Sequence, residues 1–356
     1  MVTLAEILRR HWPAYRAKFG TAIPPAHRAA VKAILTCRTP QRGGHLYVCD
    51  CGGFEFAYHY CGHRACHECG KADAQTWAQR QQAKLLPVPY FLVTFTIPEE
   101  LRAVVRAHQK DLYGALFRES AGALTDVALT KLNMQLGFTG VLHTWTRQLL
   151  YHPHIHYLVP GGGLTPDGLR WKRVADPQFF LSTKVLALRF KNRLRQWLQE
   201  NHQELLKKIP ARAWRIDWVA DVQPAGRGLT ALRYLAAYVQ KTALGPSRLV
   251  ACDAATVTFT HEDRDTGQTR SLRPSGEEFL RRFLQHVLPT GFQRVRHFGW
   301  LSAAAKSRWE RIHALLDWKP AVPPTTDTPC RGPHCPRCQK PMRLLGPLAR
   351  PPPWAR

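Results

Sequence analysis

The residues best suited to chemistry lie in the stretch His152-Pro153-His154-Ile155-His156, where histidines alternate with other residues. The apolar residues that follow make this stretch typical of a β-strand, in which side chains alternate between two faces. His154 and His156 therefore face the same way and can share one divalent cation, which we expect to be Mg²⁺ or Mn²⁺. A third ligand is needed, and the candidates on the approach to the strand are Gln148 and His152.

Two tyrosines further along the chain are candidate nucleophiles. Tyr234 and Tyr238 are four residues apart in a helical pattern over 229–242, so both phenols point to one side of a helix. A tyrosine hydroxyl would attack a phosphate polarised by the metal, which gives a phosphotyrosine and a free 3′-hydroxyl. In the alternative interpretation one tyrosine packs in the core. The histidines likewise have an alternative as a hydrogen-bonded pair or as zinc ligands.

The 10 cysteines are grouped in a way that predicts metal sites rather than disulfides. Cys49-Asp50-Cys51 and Cys66-His67-Glu68-Cys69 are two knuckles whose thiolates could share a tetrahedral zinc ion. We therefore expect one structural zinc bound by Cys49, Cys51, Cys66 and Cys69. The spare candidates are Cys61, His45, His59 and His63, and Cys61 would replace Cys51.

A second cysteine group lies late in the sequence. Cys335 and Cys338 form another knuckle, for which Cys330 or His334 could be a third ligand. A fourth ligand would have to come from elsewhere in the fold, and a second zinc is one interpretation. The isolated Cys37 and Cys252 are expected to be packing residues.

The charge of the chain indicates a nucleic-acid partner. Its 356 residues carry a formal net charge of +26, which a polyanion would offset. The alternative is the solvated surface of an arginine-rich chain. We see no apolar stretch long enough to span a membrane and no signal-peptide core, so we expect a cytoplasmic protein, associated with the nucleoid when bound to DNA, with reduced thiols.

Hydrophobic patterns predict an α+β fold. Helices are predicted over 4–19, 25–35, 72–86, 101–129, 181–208, 229–242, 276–288 and 303–315, and strands over 90–96, 138–145, 149–160, 214–222, 257–260 and 269–272. The second and third strands are close enough in sequence to pair antiparallel. We expect a helical zinc-binding domain over 1–86, a nuclease domain with an antiparallel sheet over 87–319, and a proline-rich linker with a small cysteine-rich tail over 320–356.

The predicted helix over 181–208 is a candidate surface for single-stranded DNA. Its basic residues would contact phosphates, and nearby tryptophans would stack on bases. These residues are Lys184, Arg189, Lys191, Arg193, Arg195, Lys207 and Lys208, with Trp197, Trp214 and Trp218. The alternative is a solvated helix face with tryptophans in the core.

The motifs, in their order, resemble rolling-circle transposases of the insertion-sequence-91 type, within the wider His-hydrophobe-His endonuclease superfamily. They run from the cysteine-rich segment through Thr94-Phe95-Thr96-Ile97-Pro98, His143-Thr144-Trp145, the His154 and His156 motif, Gly161-Gly162-Gly163, Tyr234-x-x-x-Tyr238 and Arg296-His297-Phe298-Gly299-Trp300 to Cys335-Pro336-x-Cys338. The resemblance implies a sheet-based nicking domain of the ferredoxin-like or palm type behind a zinc-ribbon-like domain. Related elements use one tyrosine, so which of the two is essential stays open.

We therefore predict a transposase that nicks and rejoins single-stranded DNA at element ends. Its metals would be structural Zn²⁺ and catalytic Mg²⁺ or Mn²⁺. A plasmid replication initiator or a relaxase would use the same chemistry. A rival of another class is a non-catalytic zinc-ribbon DNA-binding regulator, in which His154 and His156 are structural.

Overall fold

The structure is a computed structural model, and it describes residues 2–69, 81–82, 84–227, 230, 232–233, 243–263, 265–319 and 332–352. The helices are α1 (Leu4–Phe19), α2 (Pro25–Thr36), α3 (Glu99–Ala107), α4 (Gln109–Leu132), α5 (Thr183–Asn201), α6 (Gln203–Lys207), α7 (Gly276–Leu284) and α8 (Lys306–Leu315). The strands are β1 (Gly44–Val48), β2 (Phe54–Tyr58), β3 (Pro89–Thr96), β4 (Gly137–Trp145), β5 (Tyr151–Pro160), β6 (Gly162–Leu164), β7 (Trp171–Arg173), β8 (Val219–Arg227), β9 (Leu249–Cys252), β10 (Val257–Glu262), β11 (Thr269–Leu272), β12 (Val295–Gly299) and β13 (Arg343–Leu348).

The chain forms two compact units. Unit 1 comprises residues 1–73, 241–287 and 324–356, and unit 2 comprises residues 74–240 and 288–323. Mixed helices and antiparallel sheets confirm the α+β class. Among the described helices, none has both the length and the apolar composition needed to cross a membrane.

Unit 1 begins with α1, whose start is fixed by reciprocal hydrogen bonds. The Thr3 hydroxyl accepts from the Glu6 backbone N–H at 3.2 Å, and the Glu6 carboxylate accepts from the Thr3 N–H at 2.9 Å. Helix α7 packs beside α1, and Gly276 lies so close to the His11 ring that a side chain there would clash. Residues 241–287 thus belong with the N-terminal helices, although the sequence-based division assigned them to the nuclease domain.

A three-stranded antiparallel sheet in unit 1 has the order β13-β1-β2. Strands β1 and β2 form a hairpin, with Gly44 opposite Tyr58 and Val48 opposite Phe54. An isolated hairpin is marginally stable in water, and β13 supplies a third strand along the other edge of β1. Residues 343–348 of the expected separate tail therefore form a strand of this sheet. A second sheet has the order β11-β10-β9 and contains the strands predicted over 257–260 and 269–272, which pair antiparallel.

Unit 2 is built on a five-stranded antiparallel sheet with the order β12-β4-β5-β3-β8. Strands β4 and β5 are adjacent, as predicted from the short segment between them. One face of the sheet buries Phe95, Ile155 and Tyr157 in a core that includes apolar residues of α3, α4 and α5. The Tyr157 hydroxyl shares a hydrogen bond of 2.7 Å with the Ser120 hydroxyl of α4, which satisfies a polar group in that core.

Two predicted long helices are interrupted, each at a histidine. The helix expected over 101–129 is divided into α3 and α4 at His108, where φ is −125° and ψ is 46°. The helix expected over 181–208 is divided into α5 and α6 at His202, where φ is −146° and ψ is 55°. Both conformations lie outside the helical region, and neither position carries a glycine or proline that would signal the break.

Candidate functional site

The second face of the unit 2 sheet carries three histidines. His143 lies on β4, and His154 and His156 lie on β5. The register places His143 opposite His154, so both side chains project from one face, and His156 follows two residues later on that face. One nitrogen of each ring lies within 4.8 Å of those of the other two. This histidine triad (His143, His154 and His156) therefore fits a single divalent cation.

Hydrogen bonds on the outer side of the triad determine which ring nitrogens would coordinate. His154 donates its Nδ1–H to the backbone carbonyl of His152 at 2.6 Å. His156 Nδ1 lies 2.9 Å from the Thr94 hydroxyl of β3, which can accept from an Nδ1–H. Both contacts direct Nε2 towards the centre of the triad. This is the usual arrangement around metal-bound histidines, whose second nitrogen is held by an outer partner.

Burial keeps two of the three triad histidines uncharged. Desolvation lowers the pKa of His154 to about 4, against the opposing effect of the His152 carbonyl. Desolvation, followed by the nearby His154, holds the pKa of His156 well below its usual value. At neutral pH both rings are neutral, which is the form that binds a metal.

The third member of the triad is His143, which was not among the residues expected in that role. Gln148 lies in the turn between β4 and β5, where its backbone N–H contacts the Thr146 hydroxyl. His152 lies beside His154, with ring centroids 5.2 Å apart, but it is outside the triad. The predicted pairing of β4 with β5 is the feature that could have identified His143, because residues on adjacent antiparallel strands become neighbours once the register is known.

His143 is itself held by stacking. The Trp145 ring lies nearly parallel to it, with centroids 4.7 Å apart and planes 18° apart. On the same tryptophan, the Arg294 guanidinium lies 4.9 Å from the ring centroid. The resulting stack of Arg294, Trp145 and His143 restricts the orientation of the third imidazole.

The cysteines of unit 1 form two clusters of four. Cluster A contains Cys37, Cys61, Cys66 and Cys69, and cluster B contains Cys49, Cys51, Cys335 and Cys338. Pairs of Sγ atoms lie 3.3 and 3.6 Å apart in cluster A and 3.4 and 3.5 Å apart in cluster B. Four thiolates about 2.3 Å from one zinc ion lie this close together, so both clusters fit tetrahedral zinc.

The predicted grouping of Cys49, Cys51, Cys66 and Cys69 is wrong, because the hairpin separates them. Cys49 and Cys51 lie at the turn of the β1–β2 hairpin, whereas Cys37 and Cys61 flank its open end. A five-residue strand separates these ends by roughly 17 Å, since strands rise about 3.4 Å per residue. Cys37 is a cluster member rather than a packing residue, and Cys61 joins cluster A without replacing Cys51.

Strand β13 brings the late cysteines to cluster B by placing Arg343 opposite Val48, next to the hairpin turn. The backbone N–H groups of Cys338 and Arg337 lower the pKa of Cys335 to about 6, which favours the thiolate. His334, one of the predicted third ligands, is outside the cluster. Cys330, the other, lies outside the described residues.

Comparisons with known proteins place the chain among transposases. The family described as "Transposase zinc-binding domain" matches residues 7–97, and the family described as "Putative transposase" matches residues 137–308. The chain is 34% identical to "Putative transposase y4qJ" of Sinorhizobium fredii (strain NBRC 101917 / NGR234), over 92% of this chain and 87% of that protein. The chain belongs to the insertion-sequence-91 type of transposase.

A second relative is the "Transposase for insertion sequence element IS801" of Pseudomonas savastanoi pv. phaseolicola. It is 29% identical over 76% of the transposase described here and 69% of its own length. No solved structure matches the chain. The zinc-binding match covers all of cluster A and the first two cysteines of cluster B, which supports a structural zinc in unit 1.

The predicted nucleophiles of the transposase, Tyr234 and Tyr238, lie outside the described residues. The last described strand before them is β8, which pairs with β3 at the edge of the triad-bearing sheet. Their role as nucleophiles stays a prediction.

The tryptophans near α5 are engaged in packing. Trp218 is buried, and its indole N–H donates to the Ala213 carbonyl at 2.8 Å. Trp214 stacks on Trp218, and Trp197 packs against the same core. Among the basic residues, Arg189 and Arg193 form ion pairs with Asp126 at 2.6 and 2.9 Å. These contacts favour the core alternative for this helix over base stacking.

Proposed function

We propose that the transposase cleaves and rejoins single-stranded DNA at element ends through a tyrosine, with a divalent metal held by the histidine triad. The convergence of three imidazoles on one sheet face carries the proposal. Imidazoles accept Mn²⁺ readily and leave coordination positions open for a phosphate oxygen. The fold places the triad on two central strands, whose packed opposite face keeps the ligands in position.

The reaction would be a transesterification. The hydroxyl of Tyr234 or Tyr238 loses its proton and attacks phosphorus, and a new O–P bond forms as the bond to the 3′-oxygen breaks. That oxygen takes up a proton and leaves as a free 3′-hydroxyl, while the phosphate stays on the tyrosine. A 3′-hydroxyl of another strand reverses the step and releases the tyrosine. Mg²⁺ or Mn²⁺ in the triad would stabilise the charge that develops on the phosphate.

Contacts on the outer side of the triad would hold its three imidazole rings in position for the reaction. The His152 carbonyl and the Thr94 hydroxyl fix two rings, and Trp145 fixes the third. Because these rings are held before DNA binds, no side-chain ordering is needed at the moment of reaction.

We also propose that cluster A and cluster B each hold one zinc ion. The eight thiols come from segments that are far apart in sequence, yet four Sγ atoms meet in each cluster. A chain with both sites filled contains two zinc ions, which metal analysis of the purified protein would measure.

The test of the nicking proposal is a denaturing gel for a covalent protein–DNA adduct. Labelled single-stranded element-end DNA is incubated with Mn²⁺ and with wild type, Tyr234→Phe, Tyr238→Phe and the double variant. We expect an adduct from the wild type and none from the double variant. Loss in one single variant identifies a sole nucleophile, and retention in both identifies two interchangeable ones.

A matched control separates loss of the metal from general damage. His297 lies on β12 of the same sheet and hydrogen-bonds Thr139 at 2.8 Å, outside the triad. We expect His143→Ala to abolish the adduct and His297→Ala to retain it. Intact DNA binding with no adduct from the wild type would instead identify a zinc-dependent DNA-binding regulator. Activity on a plasmid origin but not on element ends would identify an initiator or relaxase.

A further inference from the structure

The β1–β2 hairpin of unit 1 carries a row of aromatic side chains that the transposase chemistry does not use. Phe54, Phe56 and Tyr58 are alternate residues of β2, so their side chains project from one face of the sheet. We call this row the aromatic ladder. Phe54 is 63% exposed and Phe56 is 45% exposed, although phenylalanine is ordinarily among the most buried residues.

The rings of the ladder are arranged in sequence along the strand. The centroids of Phe54 and Phe56 are 5.6 Å apart with ring planes 72° apart, and those of Phe56 and Tyr58 are 6.1 Å apart with ring planes 5° from parallel. Opposite these rings on β1 stand Val48, Leu46 and Gly44, which add no polar side chain to this face. The result is a platform of flat apolar surfaces with regular spacing.

Positive charge borders the platform at the end near the hairpin turn. Arg343 is exposed, and it pairs in register with Val48, which in turn pairs with Phe54. The Arg337 side chain approaches Gly53, with its Cδ 3.9 Å from where a Cβ would stand. Beyond the other end of β2, the Arg38 guanidinium lies 5.5 Å from the ring of Tyr60, which is 58% exposed, and 3.7 Å from the Glu68 carboxylate.

Acidic groups are nearly absent from these strands. The only carboxylate in β1, β2 and β13 is Glu55, and its position between Phe54 and Phe56 places it on the opposite face. A second copy of this chain would bring the arginines of the two platforms together, which repels. An aromatic surface bordered by arginines instead suits a flexible polyanion with flat apolar groups.

We propose that the aromatic ladder binds unpaired bases of single-stranded DNA by stacking, while Arg337 and Arg343 contact the phosphates. Rings presented one by one along a strand accept bases that have left their own stack, whereas duplex bases are stacked on one another and unavailable. This inference goes beyond the proposed function, because it concerns unit 1 and requires no cleavage.

The test measures binding of a labelled 12-nucleotide oligothymidine to the zinc-loaded full-length protein by fluorescence anisotropy. The variant carries Phe54→Leu and Phe56→Leu, which keep apolar bulk but remove both rings. Its control is Leu345→Ala, since Leu345 is an exposed apolar residue on β13 of the same sheet, 57% accessible. Phe56→Tyr, which keeps a ring, is the conservative variant.

We expect the double variant to bind about tenfold more weakly for each ring removed. Leu345→Ala and Phe56→Tyr should bind like the wild type, and duplex affinity should not change. The salt dependence of the double variant should also be unchanged, because its phosphate contacts remain. Arg343→Gln should reduce the slope of log affinity against log salt by about 0.7, the value for one phosphate on a single strand.

Photocrosslinking keeps the proposal testable even if a substitution disturbs the fold. Oligothymidine containing 5-iodouracil is irradiated with wild-type protein, and crosslinked peptides are identified by mass spectrometry. Crosslinks to residues 54–58 support the proposal. Crosslinks found only elsewhere, or wild-type oligothymidine affinity in a zinc-loaded double variant, overturn it.

The result is independent of the nicking proposal. If the wild type forms no covalent adduct, and removal of the Phe54 and Phe56 rings weakens oligothymidine binding, the nicking proposal is wrong and the proposed role of the aromatic ladder is supported. An adduct with unchanged affinity after removal of the rings would support nicking and overturn the role of the ladder.

Discussion

The two units place metal-ligating residues in opposite structural settings. In unit 1, cluster B joins segments as distant as Cys49 and Cys338, and the apolar cluster of described residues around it is small. In unit 2, the triad lies on two adjacent strands of a sheet backed by an extensive apolar core. We therefore expect metal in unit 1 to contribute to folding and expect unit 2 to fold without metal. This difference separates the structural sites proposed for unit 1 from the catalytic site proposed for unit 2.

The largest expected effect is the loss of zinc from unit 1. Structural zinc sites contribute about 10–16 kcal/mol of apparent binding free energy, which a small sheet cannot replace. A chelator should therefore unfold β1, β2 and β13 while the five-stranded sheet persists. Hydrogen exchange measured by mass spectrometry would show complete exchange in the peptides of these three strands and protection in β4 and β5.

Single cysteine substitutions test whether cluster B binds one zinc ion. Cys335→Ser should release about one zinc per chain and deprotect β13. Cys252→Ser is the control, because Cys252 lies near His11 and outside both clusters. Equal zinc content in these two variants would contradict the assignment of cluster B.

Next in size is the effect of removing a triad ligand, which should act on metal binding but not on folding. His143→Ala should weaken Mn²⁺ binding by several orders of magnitude, since one of three protein ligands is lost. The unfolding temperature of metal-free protein should stay within a few degrees of the wild type. Calorimetric titration with Mn²⁺ and thermal unfolding give the two readouts. A large drop in metal-free stability with Mn²⁺ affinity preserved would make His143 structural.

A smaller effect on metal affinity is expected when the residues that orient the triad histidines are substituted. Thr94→Val removes the hydroxyl that contacts His156 Nδ1, and loss of such partners costs about 10- to 100-fold in metal affinity. Thr96→Val is the matched control, because Thr96 lies on the same strand and pairs in register with His154 through the backbone. Similar Mn²⁺ affinities in the two variants would remove Thr94 from this role.

The smallest expected effect is a fall in the unfolding free energy of metal-free unit 2 at acidic pH. Burial lowers the pKa of His152 and His154 to about 4, whereas histidine in an unfolded chain titrates near 6.5. Between these values the unfolded chain binds more protons, so the unfolding free energy of metal-free unit 2 falls as pH drops from 6.5 towards 4. Hydrogen exchange of β4 and β5 in urea at pH 5 and 7 would measure the fall. A variant with His154→Leu and His156→Leu should show a smaller fall in unfolding free energy between pH 7 and pH 5.

Local patterns predicted much of the fold and part of the site. Alternation in the strand over 149–160 was sufficient to place His154 and His156 on one face, and the short connection to the preceding strand predicted their pairing. His143 was missed because its role depends on the register between two strands, which residue types alone do not specify. The cysteine pairs Cys66–Cys69 and Cys335–Cys338 were recognised because their spacing is equally local.

What could not be predicted depends on long-range pairing. Spacing suggests that neighbouring knuckles share a metal, but the hairpin holds its turn and its open end apart. The partners of Cys49 and Cys51 lie almost three hundred residues away, beside a strand whose pairing no local pattern reveals. The breaks at His108 and His202 similarly occur in sequences with ordinary helical composition.

The pairing of β13 with β1 also has a consequence for synthesis. A ribosome makes residues 44–58 early, but neither the third strand nor the last two thiols of cluster B exist until residues 335–348 have been made. Until then the hairpin has an unpaired edge and half a metal site. A prematurely terminated chain would carry the histidine triad on a sheet made wholly from residues before 300, with unit 1 unfinished. The β13-β1-β2 sheet therefore forms only in a chain that has been translated as far as β13, and only such a chain acquires both units.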